Sequence, residues 1–391
     1  MKINKKTSRV LYIILIISLL ILSSGCSNSK IETDVNQSSL NYVESEDYQN
    51  YLDLYSNMAK TDIGYYFINN SYLYYFDNES QETMLVCSKA NCKHNDDNCT
   101  AYFSVFNYYP IQLSYYDNAL YLLGWESEGA NIHHNYIYRI SLDDYKRKKV
   151  AFIGDSNGIS PVIFIIHRGY IYYVASTDTV EENTVELYRK KIGNTNKKEK
   201  GEKVFAVTDY GAQIFGLSAY GNNIFFCSSS YEDSNGNGYN KILNSLDIHT
   251  LKTQTVIARN QYSYFADDQY VYYEKDSKTV YRINLTTGKE TLFCNIECPC
   301  YISADDSYLY FDNQQAMYID QSITNRKIFV IDKKTGKFIT SISPKNKEDE
   351  CLFGANDFMF FKEITDEGSE QYYAIDKTKL IQGETDYIDM R

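Results

Sequence analysis

Four side chains able to ligate a metal fall within one short stretch of the 391-residue chain. They are Cys87, Cys92, His94 and Cys99, spaced Cys-x4-Cys-x-His-x4-Cys. Three thiolates and an imidazole fill a tetrahedral Zn2+ shell and leave no open position, so the expected chemistry is one structural zinc and no catalysis. Such a site couples metal binding to the folding of its own segment. A second group, Cys294-x3-Cys298-Pro299-Cys300, holds three thiols and no histidine and is read as a metal or disulfide site. Disulfide bonding is the rival reading of both groups. Pairing inside either triplet leaves one thiol over, so full oxidation needs bridges between distant parts. Cys227 and Cys351 stand in strand contexts where small buried thiols are ordinary.

Other chemistry-bearing patterns are slighter. Asp233-x-Asn235-x-Asn237-Gly238 matches the first half of a calcium loop, but Asn244 stands where an EF-hand needs a bidentate Glu. It is read as a polar loop. His133 and His134 are read as loop histidines able to join a metal, and His167 and His249 are assigned no role. Phosphate-loop, dinucleotide-fingerprint and His-Glu-x-x-His patterns do not occur in the sequence.

The elements that must position these groups read as strands. An aromatic run recurs with first residues at 65, 120, 170, 224, 270, 308 and 358, on average about every 49 residues. Each run is preceded by a short apolar strand and followed by a third strand, a tight turn and a fourth. Gly288 and Gly336 supply the positive φ those turns need. The expectation is an all-β chain forming a single β-propeller of seven four-stranded blades, with six or eight as the neighbouring counts. Its rivals are a stretched sandwich or several small β domains. Antiparallel connectivity puts the second-to-third-strand loops and the linkers between blades on one rim. Those loops read as long at 126–135, 175–184, 228–240, 312–326 and 362–370, and as rich in acids from Glu126 and Glu128 to Asp366 and Glu367. Long loops on a rigid scaffold are where binding usually resides.

The N-terminus reads as an address. Lys2, Lys5, Lys6 and Arg9 precede an apolar run at 10–22, too short for the roughly 18–20 residues of a membrane span. The run ends in Leu22-Ser23-Ser24-Gly25-Cys26, which resembles the bacterial lipobox, in which the Cys sulfur receives diacylglycerol. This gives a signal peptide at 1–25, lipidated Cys26 with a polar tether at 26–50, and the propeller at 51–391. It places the protein on the outer face of the cell membrane. The full chain carries 39 basic and 51 acidic residues, a charge of −12; without the leader's four cations the balance is −16. Such an acidic body repels phosphate backbones and disfavours nucleic acid as a partner.

Tyr270-Val271-Tyr272-Tyr273-Glu274 followed by 279–285 resembles the YWTD repeat of low-density-lipoprotein-receptor-type propellers. The chain as a whole is similar to Gram-positive bacterial lipoproteins that carry such a propeller, and the Cys87–Cys99 stretch looks like an element recurring among them. The resemblance implies a fold and an address. The function expected is a non-catalytic module whose loop rim binds a protein, glycan or small-molecule ligand. The alternatives are an extracytoplasmic hydrolase or lyase with its site in the propeller funnel, and a zinc-binding, metal-responsive surface module.

Overall fold

The computed structural model describes residues 57–391, except 97, 105–107, 129–131, 158–162, 179–182, 233–235, 237, 259–262, 268, 299, 321, 355–356, 365–369, 381, 383–384 and 391. The leader, Cys26 and the tether lie outside the described residues. So do Glu181, Glu182, Asp233, Asn235, Asn237, Asp366 and Glu367.

Among the described residues twenty-eight strands form seven four-stranded antiparallel sheets, each built from four consecutive strands. Blade 1 holds β1 (Met58–Lys60), β2 (Gly64–Asn69), β3 (Tyr72–Asp77) and β4 (Thr83–Leu85). Blade 2 holds β5 (Tyr108–Tyr116), β6 (Ala119–Glu128), β7 (Ile132–Ser141) and β8 (Arg147–Asn157). Blade 3 holds β9 (Phe164–His167), β10 (Tyr170–Asp178), β11 (Asn183–Lys191) and β12 (Glu202–Thr208). Blade 4 holds β13 (Tyr210–Tyr220), β14 (Asn223–Tyr231), β15 (Asn240–Asp247) and β16 (Thr253–Ala258). Blade 5 holds β17 (Tyr264–Ala266), β18 (Tyr270–Asp276), β19 (Thr279–Asn284) and β20 (Glu290–Asn295). Blade 6 holds β21 (Tyr301–Ala304), β22 (Tyr308–Asp312), β23 (Ile328–Asp332) and β24 (Phe338–Ile342), with helix α1 (Gln314–Ile319) between β22 and β23. Blade 7 holds β25 (Glu350–Gly354), β26 (Phe358–Ile364), β27 (Glu370–Asp376) and β28 (Tyr387–Met390), with helix α2 (Lys377–Leu380) after β27. This is the seven-bladed propeller that the repeat spacing predicts.

The recurring aromatic pairs have a geometric reason. Successive strand residues point to opposite faces, and in a propeller both faces of a blade are covered by neighbours. Tyr65 packs toward blade 7 and Tyr66 toward blade 2; Tyr172 packs toward blade 4 and Tyr173 toward blade 2. The second strand is therefore buried where neighbouring blades cover it, through Ile68 in β2 and from Ala119 to Trp125 in β6, whereas the outermost β20 holds only exposed and half-buried residues. One apolar cluster fills each of the seven blade interfaces. The cluster joining Met58, Tyr65, Phe67 and Phe76 to Phe358, Phe360, Tyr372 and Met390 closes the ring. Closure uses packed faces and no shared sheet. Asp357 adds polar contacts, accepting hydrogen bonds from the Tyr65 hydroxyl and from Asn78 Nδ2 at 2.8 Å.

In blades 1, 4, 5 and 6 the turn after the third strand follows one code. Asp77, Asp247 and Asn284 each accept with Oδ1 from the backbone N–H and hydroxyl of the Ser or Thr three residues on. Gly288 and Gly336 then take φ of 67° and 69°, as the turn requires. The residue immediately after the last residue of the third strand latches onto the preceding blade. Leu142, Ile192, Ile248 and Leu285 do so by packing in the interface clusters. At the same position Lys333 pairs with Asp267 at 2.8 Å, Lys377 with Asp305 at 2.6 Å, and Asn78 with Asp357.

The rim that bears the second-to-third-strand connections is uneven. The four strands of blade 2 have nine, ten, ten and eleven residues, against four, five, five and five in blade 6. This corrects the reading of 126–135, 175–184 and 228–240 as loops. Pairing continues to Glu128↔Ile132, Asp178↔Asn183 and Ser230↔Asn240, so blades 2–4 raise paired ribbons above the ring. Backbone hydrogen bonds sustain these ribbons where the apolar pattern stops. His133 and His134 accordingly sit in β7, not in a loop.

Candidate metal centre and its surroundings

The Cys87–Cys99 segment leaves blade 1 after β4 and returns to it. Pairing of β3 with β4 ends at Tyr74↔Leu85. Beyond it, Leu73 N–H donates to Ala101 O at 2.8 Å and Phe103 N–H to Ser71 O at 2.7 Å. The returning strand thus takes over the edge that β4 gives up, and the excursion between them must be pinned by something other than the sheet.

Its four side chains converge. Ligand atoms of Cys87, Cys92, His94 and Cys99 all lie within 4.8 Å of one another, the one such group among the described residues. The Cys87 and Cys99 sulfurs are 3.8 Å apart, and His94 Nδ1 is 3.2 Å from the Cys99 sulfur. Zn–S bonds of about 2.3 Å at tetrahedral angles place two sulfurs about 3.8 Å apart, whereas a disulfide needs about 2.05 Å. The donor set therefore fits a tetrahedral dication, and all eight described cysteines are unbridged.

Surrounding groups fix the ligands. Tyr72 donates its hydroxyl proton to His94 O at 2.6 Å, and the Thr100 hydroxyl donates to the Cys87 sulfur at 3.6 Å. Arg147 of β8 lies 4.1 Å over the Phe103 ring and donates to the carbonyls of Cys99 at 2.8 Å, Thr100 at 3.1 Å and Tyr102. Burial works against the Cys87 thiolate, but hydrogen bonds from the Lys89 backbone, Thr100 and the other two thiols outweigh it and hold this thiol at about 6. Burial, together with Cys92 and Cys87, pushes Cys99 up to about 11.

Cys294, Cys298 and Cys300 do not form a ligand group of this kind. Cys294 and Cys298 are half-buried, and Cys300 is buried in the blade 5–6 cluster. A residue invisible to motif reading lies beside them. Glu274 of β18 is 1 % exposed, and its Oε2 accepts from Cys300 N–H at 3.4 Å while Oε1 has no partner. Burial raises its carboxyl to about 7. The proton is then held in the folded chain at pH values where the unfolded chain has lost it. Stability from this group is fully present below about 4.5 and declines as pH rises through about 7, by about 3 kcal/mol in all. Glu274→Gln is expected to stabilise the fold by about 2–3 kcal/mol at pH 8 and to be nearly neutral at pH 4.5, read by urea unfolding. A difference that does not change with pH rules this out.

On the blade 2 ribbon His134 donates to Asp155 Oδ1 at 2.5 Å and to Glu128 Oε2 at 2.8 Å. When protonated, the ring donates from both nitrogens to these carboxylates and has no lone pair for a metal or a substrate proton. The two carboxylate hydrogen bonds raise its pKa, Asp155 first. The ion-paired ribbon tip is therefore intact at acidic pH and loses this support as pH climbs through the raised value. In a histidine NMR titration His134 should titrate above the ordinary 6.5, and Asp155→Asn should lower it; an unmoved midpoint in the variant contradicts the pairing. His167 is buried at the end of β9, with Nε2 bonded to Gly221 O at 2.7 Å, and His249 sits in a turn of blade 4.

No family model matches the sequence, and no curated protein does. Solved structures share the architecture at low identity. A prolyl endopeptidase is 11% identical with a TM-score of 0.50, over 88% of this chain and 49% of that one. An oligogalacturonate lyase in complex with manganese is 10% identical with a TM-score of 0.47, over 84% and 89%. BamB from Moraxella catarrhalis is 10% identical with a TM-score of 0.41, over 88% and 91%. This chain spans about half the length of the prolyl endopeptidase. The likeness to the prolyl endopeptidase speaks for the fold alone, and the seven four-stranded sheets define the protein as a seven-bladed β-propeller.

Proposed function

We propose that the protein is a non-catalytic binding module, held at the outer face of the cell membrane by lipidated Cys26, whose raised rim takes a protein, glycan or small-molecule ligand. The observation that carries this reading is the exposed side-chain set on the rim. Ile132, Tyr210, Tyr239 and Tyr301 are all more than 40 % exposed, and the Tyr231 and Tyr239 rings lie 5.1 Å apart at the tip of the blade 4 ribbon. Tyrosines on a rigid ribbon offer large contact area and a hydroxyl at low conformational cost. The basic leader, short apolar run and lipobox-like Leu22–Cys26 stretch support the anchor, and the likeness to YWTD-type propellers of Gram-positive lipoproteins supports the address. The −16 body argues against nucleic acid.

In this reading Cys87, Cys92, His94 and Cys99 hold one structural zinc. The ion supplies four bonds that close the blade 1–2 linker and exposes no coordination position for a reaction.

The test is a comparative screen. Full-length protein in detergent and its Ile132→Ser/Tyr210→Ser/Tyr239→Ser variant are run against glycan arrays, peptide libraries and envelope extracts, with circular dichroism confirming equal folding. Ligands retained by the parent and weakened at least about tenfold by the variant support the rim. Ligands that bind both equally overturn it.

A further inference from the structure

We infer that the blade 4 ribbon is a sugar-binding strip, on which the rings of Tyr210, Tyr231 and Tyr239 stack against the flat side of a neutral, β-linked oligosaccharide. The inference rests on the rim reading above and names the ligand class for one part of it.

Strand register builds the strip. Tyr210 of β13 stands opposite Tyr231 of β14, and pairing of β14 with β15 runs up to Ser230↔Asn240. Tyr239, one residue before Asn240, therefore meets Tyr231, with ring centroids 5.1 Å apart and planes at 46°. Opposed residues of paired strands share a face, and three strands at sheet spacing make the row about 10 Å wide. Tyr210 and Tyr239 are 48 % and 42 % exposed, and Tyr231 between them is half-buried. Gly211 keeps the middle ring in place. Its φ is 61°, and a Cβ there would lie 2.9 Å from Tyr231 Cδ2. The next row down the same face is polar, since Gln213 and Lys241 both stand opposite Ser229. Gln213 is exposed, and the half-buried Lys241 holds its ammonium 5.0 Å over the Phe215 ring. Ser229 is 2 % exposed, and its hydroxyl has no partner among the described residues. A buried polar atom left unpaired is costly and calls for a reason.

An aromatic strip above a row of amide, hydroxyl and ammonium matches the two-sided chemistry of a sugar. In β-linked glucose or N-acetylglucosamine the substituents are equatorial, so the flat sides of the ring carry only C–H groups. Those hydrogens meet the negative faces of the tyrosine rings, and the hydroxyls at the ring edge reach the polar row. A strip of this width spans two linked pyranose rings and offers no pocket for a single side chain. Charge selects a neutral ligand. Asp209 and Glu232, both exposed and next in sequence to Tyr210 and Tyr231, disfavour an anionic polymer. Lys241 on the face itself disfavours a basic peptide.

The probes are cellotetraose, chitotetraose, tetragalacturonate and a lysine-rich peptide, titrated calorimetrically into the full-length protein in a detergent without a sugar headgroup. Cellotetraose or chitotetraose is expected to bind, and more tightly than either charged probe. Tyr210→Ser and Tyr239→Ser should each weaken that binding at least about tenfold. Tyr239→Phe keeps the ring and should stay within about threefold of the parent, the loss of one hydroxyl. Gly211→Ala, which drives a methyl group into the Tyr231 ring, should weaken the sugar while circular dichroism shows the fold intact; if it unfolds, the Tyr239 pair decides. Equal binding by Tyr239→Ser and the parent, or a loss in Tyr239→Phe as deep as in Tyr239→Ser, overturns the stacking. Tighter binding of tetragalacturonate or of the peptide overturns the neutral sugar. Failure of both β-linked probes to bind overturns the inference as a whole. If the parent then still retains a peptide or envelope protein that the Ile132→Ser/Tyr210→Ser/Tyr239→Ser variant loses, the rim reading stands without it; if it retains none, both fall.

Discussion

Replacing Asp305 by alanine is expected to lower the unfolding free energy by about 3–5 kcal/mol, because it strands a buried ammonium. The side chains of Asp305 and Lys377 are each 3 % exposed and meet at 2.6 Å across the blade 6–7 interface. Tyr310 donates a second hydrogen bond to the same carboxylate at 2.5 Å, and the Lys377 ammonium lies 4.2 Å over the Tyr310 ring. The other carboxylate oxygen accepts from the N–H groups of Ser307 at 2.8 Å and Tyr308 at 2.7 Å, so Asp305 also shapes the turn between β21 and β22. Burial lowers the Lys377 pKa, and Asp305 is the main opposing influence. Without it the lysine sheds its proton in the folded state well below the pH at which it does so unfolded. The penalty of Asp305→Ala is therefore greatest at acidic and neutral pH and shrinks as pH rises toward about 10. Lys377→Met should cost less than Asp305→Ala, since its loss leaves Asp305 with three donors. The pair Asp305→Leu/Lys377→Met should recover most of the loss. Urea unfolding of the four proteins at pH 7 decides it. A single Asp305→Ala within about 1 kcal/mol of the parent means that this latch contributes no more than a surface ion pair.

The same latch marks where sequence reading stops. The blades were legible because each second strand carries paired aromatics, such as Tyr65-Tyr66 and Tyr172-Tyr173, and both members are needed when neighbours cover both faces. The latch position was not legible, because Leu142, Ile192, Ile248 and Leu285 share it with Lys333, Lys377 and Asn78. What is constant there is a register after the third strand, and the chemistry varies with the partner. The ribbons of blades 2–4 were misread as loops for a related reason. Glu126, Ser127 and Glu128 carry no apolar alternation, yet they pair with His134, His133 and Ile132 through backbone hydrogen bonds that composition does not reveal. The Cys3His group was legible because all four ligands sit on one local excursion. Glu274 was not, because 26 residues separate it from Cys300 and only the folding of blade 5 against the next linker joins them.

The second large effect is expected at that excursion. Full-length protein purified without chelator should carry about one zinc per chain, and Cys92→Ser should weaken zinc by more than the roughly 10–100-fold that loss of an outer partner costs. Structural zinc in small peptides is worth on the order of 10–16 kcal/mol, all of it coupled to folding. Here most of the fold stands without it, since the seven interface clusters contain none of Cys87, Cys92 and His94. The free energy of binding is instead concentrated in the excursion. Removal of zinc or of the Cys92 sulfur should abolish hydrogen-exchange protection between the end of β4 and Ala101 and loosen the Arg147 contacts to Cys99 and Thr100. Global unfolding should shift far less than local opening does. Thiol titration of the same sample, native and denatured, supplies the decisive contrast. Thiols shielded by metal become fully titratable once the protein is denatured with chelator. Few titratable thiols under those conditions, with no zinc present, would establish bridges in place of the metal, and would require the 3.8 Å separation of the Cys87 and Cys99 sulfurs to close to bonding distance.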